Sequence, residues 1–171
     1  GLILAVPSNG REAVRQLRRC VLEAYERGRV CVFVEPIAQY MNRDLHKPED
    51  KLWTFQYPEP GDISALGEFD IYGKSPVTLL TYGNGTYYSL KAQKILEDQH
   101  KQPIEVVDLK WLAPLDWASL IKHLKNKSHI LFVEECRVTG SFAEGVVAKL
   151  ATHPEIKAQL KIHGAEDCFI P

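Results

Sequence analysis

No apolar run in this sequence is longer than a strand. The longest cover residues 2–6, 30–34 and 130–133, whereas a membrane-spanning helix needs about 20 apolar residues. No charge of one sign prevails either: 21 basic and 22 acidic side chains leave a formal net charge of −1, so neither a nucleic-acid partner nor an anionic membrane surface is expected. The four cysteines (Cys20, Cys31, Cys136, Cys168) show no Cys-x-x-Cys spacing. That predicts reduced thiols in a reducing compartment, not a disulfide framework. The six histidines are scattered without ligand spacing, so no zinc site is expected. Internal repeats and low-complexity tracts are absent, and the opening Gly-Leu-Ile-Leu-Ala lacks the basic flank of a secretory leader. What remains is an ordinary globular composition, 45% hydrophobic over 171 residues, with room for one domain or one domain and part of another.

Residues 1–35 read as one β-α-β unit. After an apolar strand over 2–6 comes a helix with Asn9 as N-cap and Glu12 three residues on, the spacing of a capping box. Val14, Leu17, Val21 and Ala24 make one apolar stripe, opposite Arg11, Arg15 and Arg18, and such a stripe is expected to face a core. Gly28 ends the helix. Residues 30–34, almost continuously apolar, predict a strand buried on both faces. Two parallel strands and one helix cannot close a core alone. The chain therefore reads as starting inside a domain, whose missing part comes from upstream sequence or from packing on the neighbouring unit.

Residues 36–65 carry four prolines (Pro36, Pro48, Pro58, Pro60) and the aromatics Trp53, Phe55 and Tyr57, without periodicity. This predicts an interdomain connection laid along a surface. From residue 66 the pattern becomes regular: a weak strand over 66–72, strand 77–82, helix 86–98, strand 104–109, helix 116–125, strand 130–134, helix 142–151 and strand 160–163. The helices show core stripes of Tyr88, Ala92, Ile95; of Trp117, Leu120, Ile121, Leu124; and of Ala143, Val146, Val147, Leu150. Such alternation predicts an α/β fold: a mostly parallel, doubly covered sheet over 66–171, preceded by the partial β-α-β unit of a second α/β domain.

Three groups of residues invite a chemical reading. Tyr82-Gly83-Asn84-Gly85-Thr86 joins a strand to a helix, where backbone N–H groups can meet a phosphate, and Asp108 ends the next strand as a ribose-binding acid would. Tyr88 stands where a dinucleotide fingerprint needs its third glycine, so a tight turn is the better account. Glu134-Glu135-Cys136-Arg137 leaves the carboxyl end of a strand, where α/β sheets place their sites. Glu134 and Arg137 read either as a solvated or interface ion pair or as the lining of a substrate channel. Gly140 lies in the turn that follows, and Ser141 with Glu144 forms a capping box. Cys136 has no histidine near it in sequence, which argues against a nucleophile. Last, Glu35-Pro36 with Tyr40, Arg43, Asp44 and His46 either staples the connection to the domain surface or sits at a subunit interface near an active site.

In their order these pieces resemble the β-type half of thiamine diphosphate-dependent 2-oxo acid dehydrogenases, within the transketolase superfamily. Val6-Pro7-Ser8, Glu12-Ala13, Val32-Phe-Val-Glu35-Pro36 and Tyr40 look like the last third of the family's pyrimidine-binding domain. The stretches VVDLKWLAPLD and VEECRVTGSF look like its transketolase C-terminal domain. The resemblance implies that 1–35 closes a pyrimidine-binding domain, 36–65 connects, and 66–171 is the transketolase C-terminal-like domain. It further implies a parent enzyme that decarboxylates a small 2-oxo acid on thiamine diphosphate with magnesium and passes the acyl group to a lipoyl acyltransferase. Cofactor and metal would be held mainly by regions outside this chain, so no catalytic, cofactor-binding or metal-ligating residue is expected in it. Glu35, Tyr40, His46, Glu134, Glu135, Arg137 and Gly140 would line the entrance or an interface, in a homodimer or with an α-type subunit. The stretch EPIAQYMNRDLH is closer to bacterial single-chain versions, which implies the cytoplasm, or the mitochondrial matrix for a eukaryotic source. Rival readings are a ketol transferase of the transketolase or deoxyxylulose-phosphate synthase kind, a free-standing nucleotide- or flavin-binding module, and a purely dimerising domain.

Overall fold

The computed structural model describes residues 1–167, so Cys168 lies outside the described residues. Asn9 caps the first helix by accepting the Glu12 N–H at 3.1 Å, and Gly28, at φ 62° in the left-handed region, closes it through its own N–H to Ala24. The helix, α1 (Gly10–Arg27), joins β1 (Ile3–Ala5) to β2 (Cys31–Phe33), which run parallel. A third strand completes this small sheet from the far side of the chain. It is β6 (Trp111–Ala113), antiparallel to β1, giving the order β2-β1-β6.

The second sheet holds β3 (Asp70–Tyr72), β4 (Val77–Thr81), β5 (Glu105–Asp108), β7 (His129–Arg137) and β8 (Gln159–Ala165), in the order β3-β5-β4-β7-β8. All neighbours are parallel except β3 on β5. Along β4 and β5 successive side chains face opposite sides. Leu80 and Val107 pack with Ile130 and Phe132 under α3 (Trp117–Leu124) and α4 (Phe142–Thr152), through Leu120, Leu124, Ala143, Val146 and Leu150. Val106, with the half-buried Leu79, packs under Tyr87 and Leu90 of α2 (Asn84–His100), beside Leu45 and Trp53 of the connecting segment. The mostly parallel sheet, covered on both faces, is thus present.

Four expectations need correction. The α1 residues buried are Glu12, Gln16, Cys20 and Glu23, while Leu17 and Val21 are 48% and 58% exposed; the polar face turns inward because buried ionic partners await it there. Val30, Val32 and Val34 are likewise exposed, so β2 is covered on one face only. In α2, Tyr88 and Ile95 are exposed and Gly85, Thr86, Tyr87, Ser89 and Leu90 are buried, since the connecting segment adds a second layer that shifts the buried arc. And β6 has no counterpart in the sequence pattern: its Lys110-Trp111 approach, charged beside aromatic, carries no alternation that marks a strand.

Residues 36–65 hold one 3-10 turn (Ile37–Gln39) and no strand. Two aspartates hold them in shape. Asp50 accepts the N–H groups of Leu45, His46, Lys47 and Leu52 at 2.8–3.0 Å. Asp44 accepts those of Glu49 and Lys51 at 2.8 Å. Burial works against the charge on Asp50, yet those four donors hold its carboxyl well below the usual carboxylate range.

Candidate functional site

Parallel strands present their carboxyl ends on one side, and the turns leaving them wall off a crevice. In the small sheet those turns are Pro7 and Ser8 after β1 and Glu35 and Pro36 after β2. With the start of α1 at Asn9 and Gly10, and with Tyr40 to Arg43 and Trp53 to Phe55 of the connecting segment, they enclose a cleft of about 610 Å³. Its floor is aromatic: Trp53 and Phe55 meet edge to face at 5.4 Å between ring centroids. At its rim the Tyr40 hydroxyl donates to the Glu35 carboxylate, an interaction that raises the phenol's pKa. Gln39 is buried, its Oε1 accepting from Asn42 at 2.8 Å and its Nε2 without a partner. Among the described residues that line it, Glu35 is the one carboxylate, and it is engaged by Tyr40. The lining combines apolar and aromatic surface with a few hydrogen-bonding groups, the make-up of small-molecule clefts in general.

The strand-end cluster lies on the larger sheet, at the carboxyl ends of β4 and β7, whose onward helices α2 and α4 cover opposite faces. Tyr82 donates to Glu134 Oε2 at 2.9 Å; burial and the neighbouring Glu134 carboxylate push the phenol up. Asn84 Nδ2 donates to Glu135 at 3.0 Å. Glu134 is buried and pairs with Tyr82, while the exposed Arg137 faces Asp167 at 3.7 Å. No Glu134–Arg137 ion pair forms among the described residues: the half-buried Tyr82 phenol meets Glu134, and the exposed Arg137 turns to Asp167. Gly140, at φ 73°, donates its N–H to Glu144 Oε2 at 2.7 Å, and Ser141 accepts the Glu144 N–H at 3.4 Å. The capping box thus reaches one residue further back than its sequence spacing indicates.

The structure brings Glu35 and Tyr40 into the cleft and gathers Glu134, Glu135, Arg137 and Gly140 around the end of β7. His46 joins neither group; its N–H is part of the Asp50 turn and its side chain is exposed. Sequence reasoning missed the ionic junction between the sheets. Lys110, fully buried, contacts Glu12 at 2.7 Å and Glu68 and Asp70 at 3.1 Å. Arg15 reaches Glu12, Asp62 and Glu68 at 2.6–2.9 Å. Ser8 donates to the buried Asp108, Gln16 Nε2 to the Lys110 carbonyl at 2.6 Å, and Trp111 Nε1 to Ser64 at 3.1 Å. The signal lies in Asp108-Leu109-Lys110-Trp111, where charges interrupt an otherwise apolar run. Among the described residues, no group of three or more His, Cys, Asp or Glu side chains is placed to hold a metal ion. Glu12, Glu68 and Asp70 close on Lys110.

A model of the transketolase C-terminal domain matches residues 67–171. The chain belongs to that family. The 1-deoxy-D-xylulose-5-phosphate synthase of Chlorobium phaeovibrioides is 28% identical over 170 residues, 99% of this chain and 24% of that protein. The pyruvate dehydrogenase E1 component subunit beta of Cyanidium caldarium is 35% identical over 79 residues, 46% of this chain and 24% of that one. The 3-methyl-2-oxobutanoate dehydrogenase subunit beta of Mycobacterium tuberculosis is 25% identical over 157 residues, 88% of this chain and 39% of that one. Among solved structures, a split-gene transketolase described as an inactive beta4 tetramer superposes at a TM-score of 0.64 with 20% identity, over 98% of this chain and 49% of that one, a likeness of fold. The chain thus spans less than half the length of each of these proteins. No described helix is long and apolar enough to cross a membrane.

Proposed function

We propose that this chain is the C-terminal portion of a thiamine diphosphate-dependent 2-oxo acid dehydrogenase, supplying scaffold, assembly interface and the entrance to the active site. The observation that carries this reading is the open side of the small sheet. Val30, Val32 and Val34 are exposed on the face of the small sheet turned away from α1, and Leu17 and Val21 are exposed on that helix's own outer side, apolar surface of a kind that monomers seldom expose. That is how the end of a pyrimidine-binding domain looks without its remaining strands and helices. Residues 1–35 are accordingly that domain's end, 36–65 the connection, and 66–171 the second domain.

In the parent enzyme thiamine diphosphate with magnesium would supply the electron sink that lets a 2-oxo acid lose carbon dioxide. Among the described residues no group of three or more His, Cys, Asp or Glu side chains could hold the metal, and no chemical step is assigned to this chain's residues. Glu35 and Tyr40 would shape the cleft wall; Glu134, Glu135, Arg137 and Gly140 would serve the interface with a second copy or an α-type subunit, or the docking of a lipoyl acyltransferase. Likeness to the beta subunits of two 2-oxo acid dehydrogenases supports the reading.

The test is the reaction of the complete enzyme containing this chain, offered a 2-oxo acid with either lipoamide or an aldose phosphate as acceptor. Acyl transfer to lipoamide is expected. Joining of the decarboxylated 2-oxo acid to the aldehyde carbon of the sugar phosphate would replace this proposal with the synthase chemistry of the relative that aligns over 99% of the chain.

A further inference from the structure

Cys20 lies on the buried face of α1, and Cys31 opens β2, where alternation turns Cys31 and Phe33 toward the helix and Val32 away from it. The two side chains meet there. The Cys31 thiol donates to the main-chain carbonyl of Cys20 at 3.5 Å, and the Cys20 thiol is hydrogen-bonded to the Cys31 sulfur. Both are free thiols. Cys20 is 4% exposed among Ile3, Ala5 and Trp111, whereas Cys31 is half-buried. The turn between the helix and the strand holds the pair in place. Gly28 and Arg29 donate their N–H groups to Ala24 and Glu23 at 3.1 Å, and Val30 accepts from Ile3 at 2.9 Å. The Arg29 side chain also pairs with the buried Glu23 at 3.2 Å. Burial, with the Cys31 thiol beside it, pushes the Cys20 thiol up to about 12. Cys20 therefore stays protonated at neutral pH, and the more open Cys31 is the sulfur that meets a reagent from solvent first.

We propose that Cys20 and Cys31 are a redox-operated clamp: hydrogen peroxide oxidises them to a disulfide that ties α1 to β2, and a dithiol reductant reopens it. Cys31, as the thiolate, attacks one peroxide oxygen. The O–O bond breaks, the Cys31 sulfenic acid forms, and the leaving hydroxide takes up the thiol's proton as water. The Cys20 thiol then attacks the sulfenic sulfur. The S–S bond forms, the S–O bond breaks, and the second hydroxide leaves with the Cys20 proton as water. Each sulfur has given up one electron, and the peroxide has gained both. Thiol–disulfide exchange with the reductant returns the two thiols. In a reducing compartment such a bond is transient, as a sensor requires. The clamp stiffens the unit of β1, α1 and β2, and it rests on these two residues whichever reaction the parent enzyme performs.

The folded chain, treated with hydrogen peroxide, alkylated and digested without reductant, shows the bond by mass spectrometry. The expected product is a linked pair of peptides holding Cys20 and Cys31, separated again by dithiothreitol. The melting temperature should rise on oxidation and return on reduction. Cys20→Ala should halt the reaction at a Cys31 sulfenic acid, trapped by dimedone; Cys31→Ala should leave Cys20 a thiol. Cys20 recovered as the free thiol from the oxidised chain, with Cys31 either unchanged or carried on to the sulfinic acid, would overturn the proposal. So would a bond from either residue to Cys136 in its place, or a melting temperature that fails to rise once Cys20 and Cys31 are joined. These outcomes are read from the unsubstituted chain, whether or not the variants fold.

Discussion

Lys110 is the single buried cation on which Glu12 of α1 and Glu68 and Asp70 of the second unit converge. Burial works against its charge, but the surrounding carboxylates outweigh that and raise its pKa. Lys110→Met should therefore cost about 3–5 kcal/mol, because Asp70 loses its ion-pair partner and Glu12 and Glu68 keep only Arg15, a loss readable from denaturant midpoints. Two acids give the pH profile its shape. Burial pushes Glu68 up, but Ser64 and Lys110 more than reverse this and hold it at about 2. Its contribution is present above its ordinary 4.5 and lost as pH falls toward 2. Asp108 has the opposite sign: raised from 3.8 to about 7, it favours the fold most below 3.8 and loses that contribution as pH rises to 7. Asp108→Asn should match the parent chain at acid pH and exceed it in stability above neutrality; urea unfolding across the pH series would show a widening gap, and parallel curves would refute the assignment. At Gly140, φ is 73° and nothing lies within 4 Å of a Cβ. Gly140→Val should thus cost on the order of 1–3 kcal/mol by backbone strain alone, with a lowered Tm and no new cavity or clash.

At the scale of elements, α1 separates stability from assembly. Leu17 and Val21 are 48% and 58% exposed, so Leu17→Lys with Val21→Lys should shift the chain's own stability by no more than about 0.5 kcal/mol per site. The same pair should block association with the remainder of the enzyme, as gel filtration would show; a large fall in Tm would mean that the face is internal after all. The helix also shows why its orientation is not legible from sequence. The stripe of Val14, Leu17 and Val21 is plainly apolar, but which side of a helix is buried in one chain depends on what lies across from it. Across from α1 lie Lys110, Glu68 and Ser64, all distant in sequence. Elements with clear periodicity fare better: β4, α3, β7 and α4 fall within a few residues of expectation because local pattern decides them. Strand β6 and the cleft are hidden because both arise from meetings across the chain, β1 with residues 111–113 and Pro7 with Trp53. Of the candidate residues, Glu35 and Tyr40 can be grouped from their proximity in sequence, whereas Ser8, Asp108 and Lys110 gain meaning only in three dimensions.

For the whole molecule, one segment decides the arrangement. Residues 105–113 run as β5 in the large sheet and then as β6 in the small one, so the two sheets share a continuous stretch of backbone and a charged junction. The outer side of α1 and the opposite face of β2 are left open. In the proposed parent, the rest of a thiamine diphosphate enzyme covers them and brings the cofactor. Calorimetric titration of thiamine diphosphate with magnesium, into the chain alone and into the complete enzyme, is the most direct test. Saturable heat from the complete enzyme and none from the chain is the predicted result; saturable binding by the chain alone would contradict it.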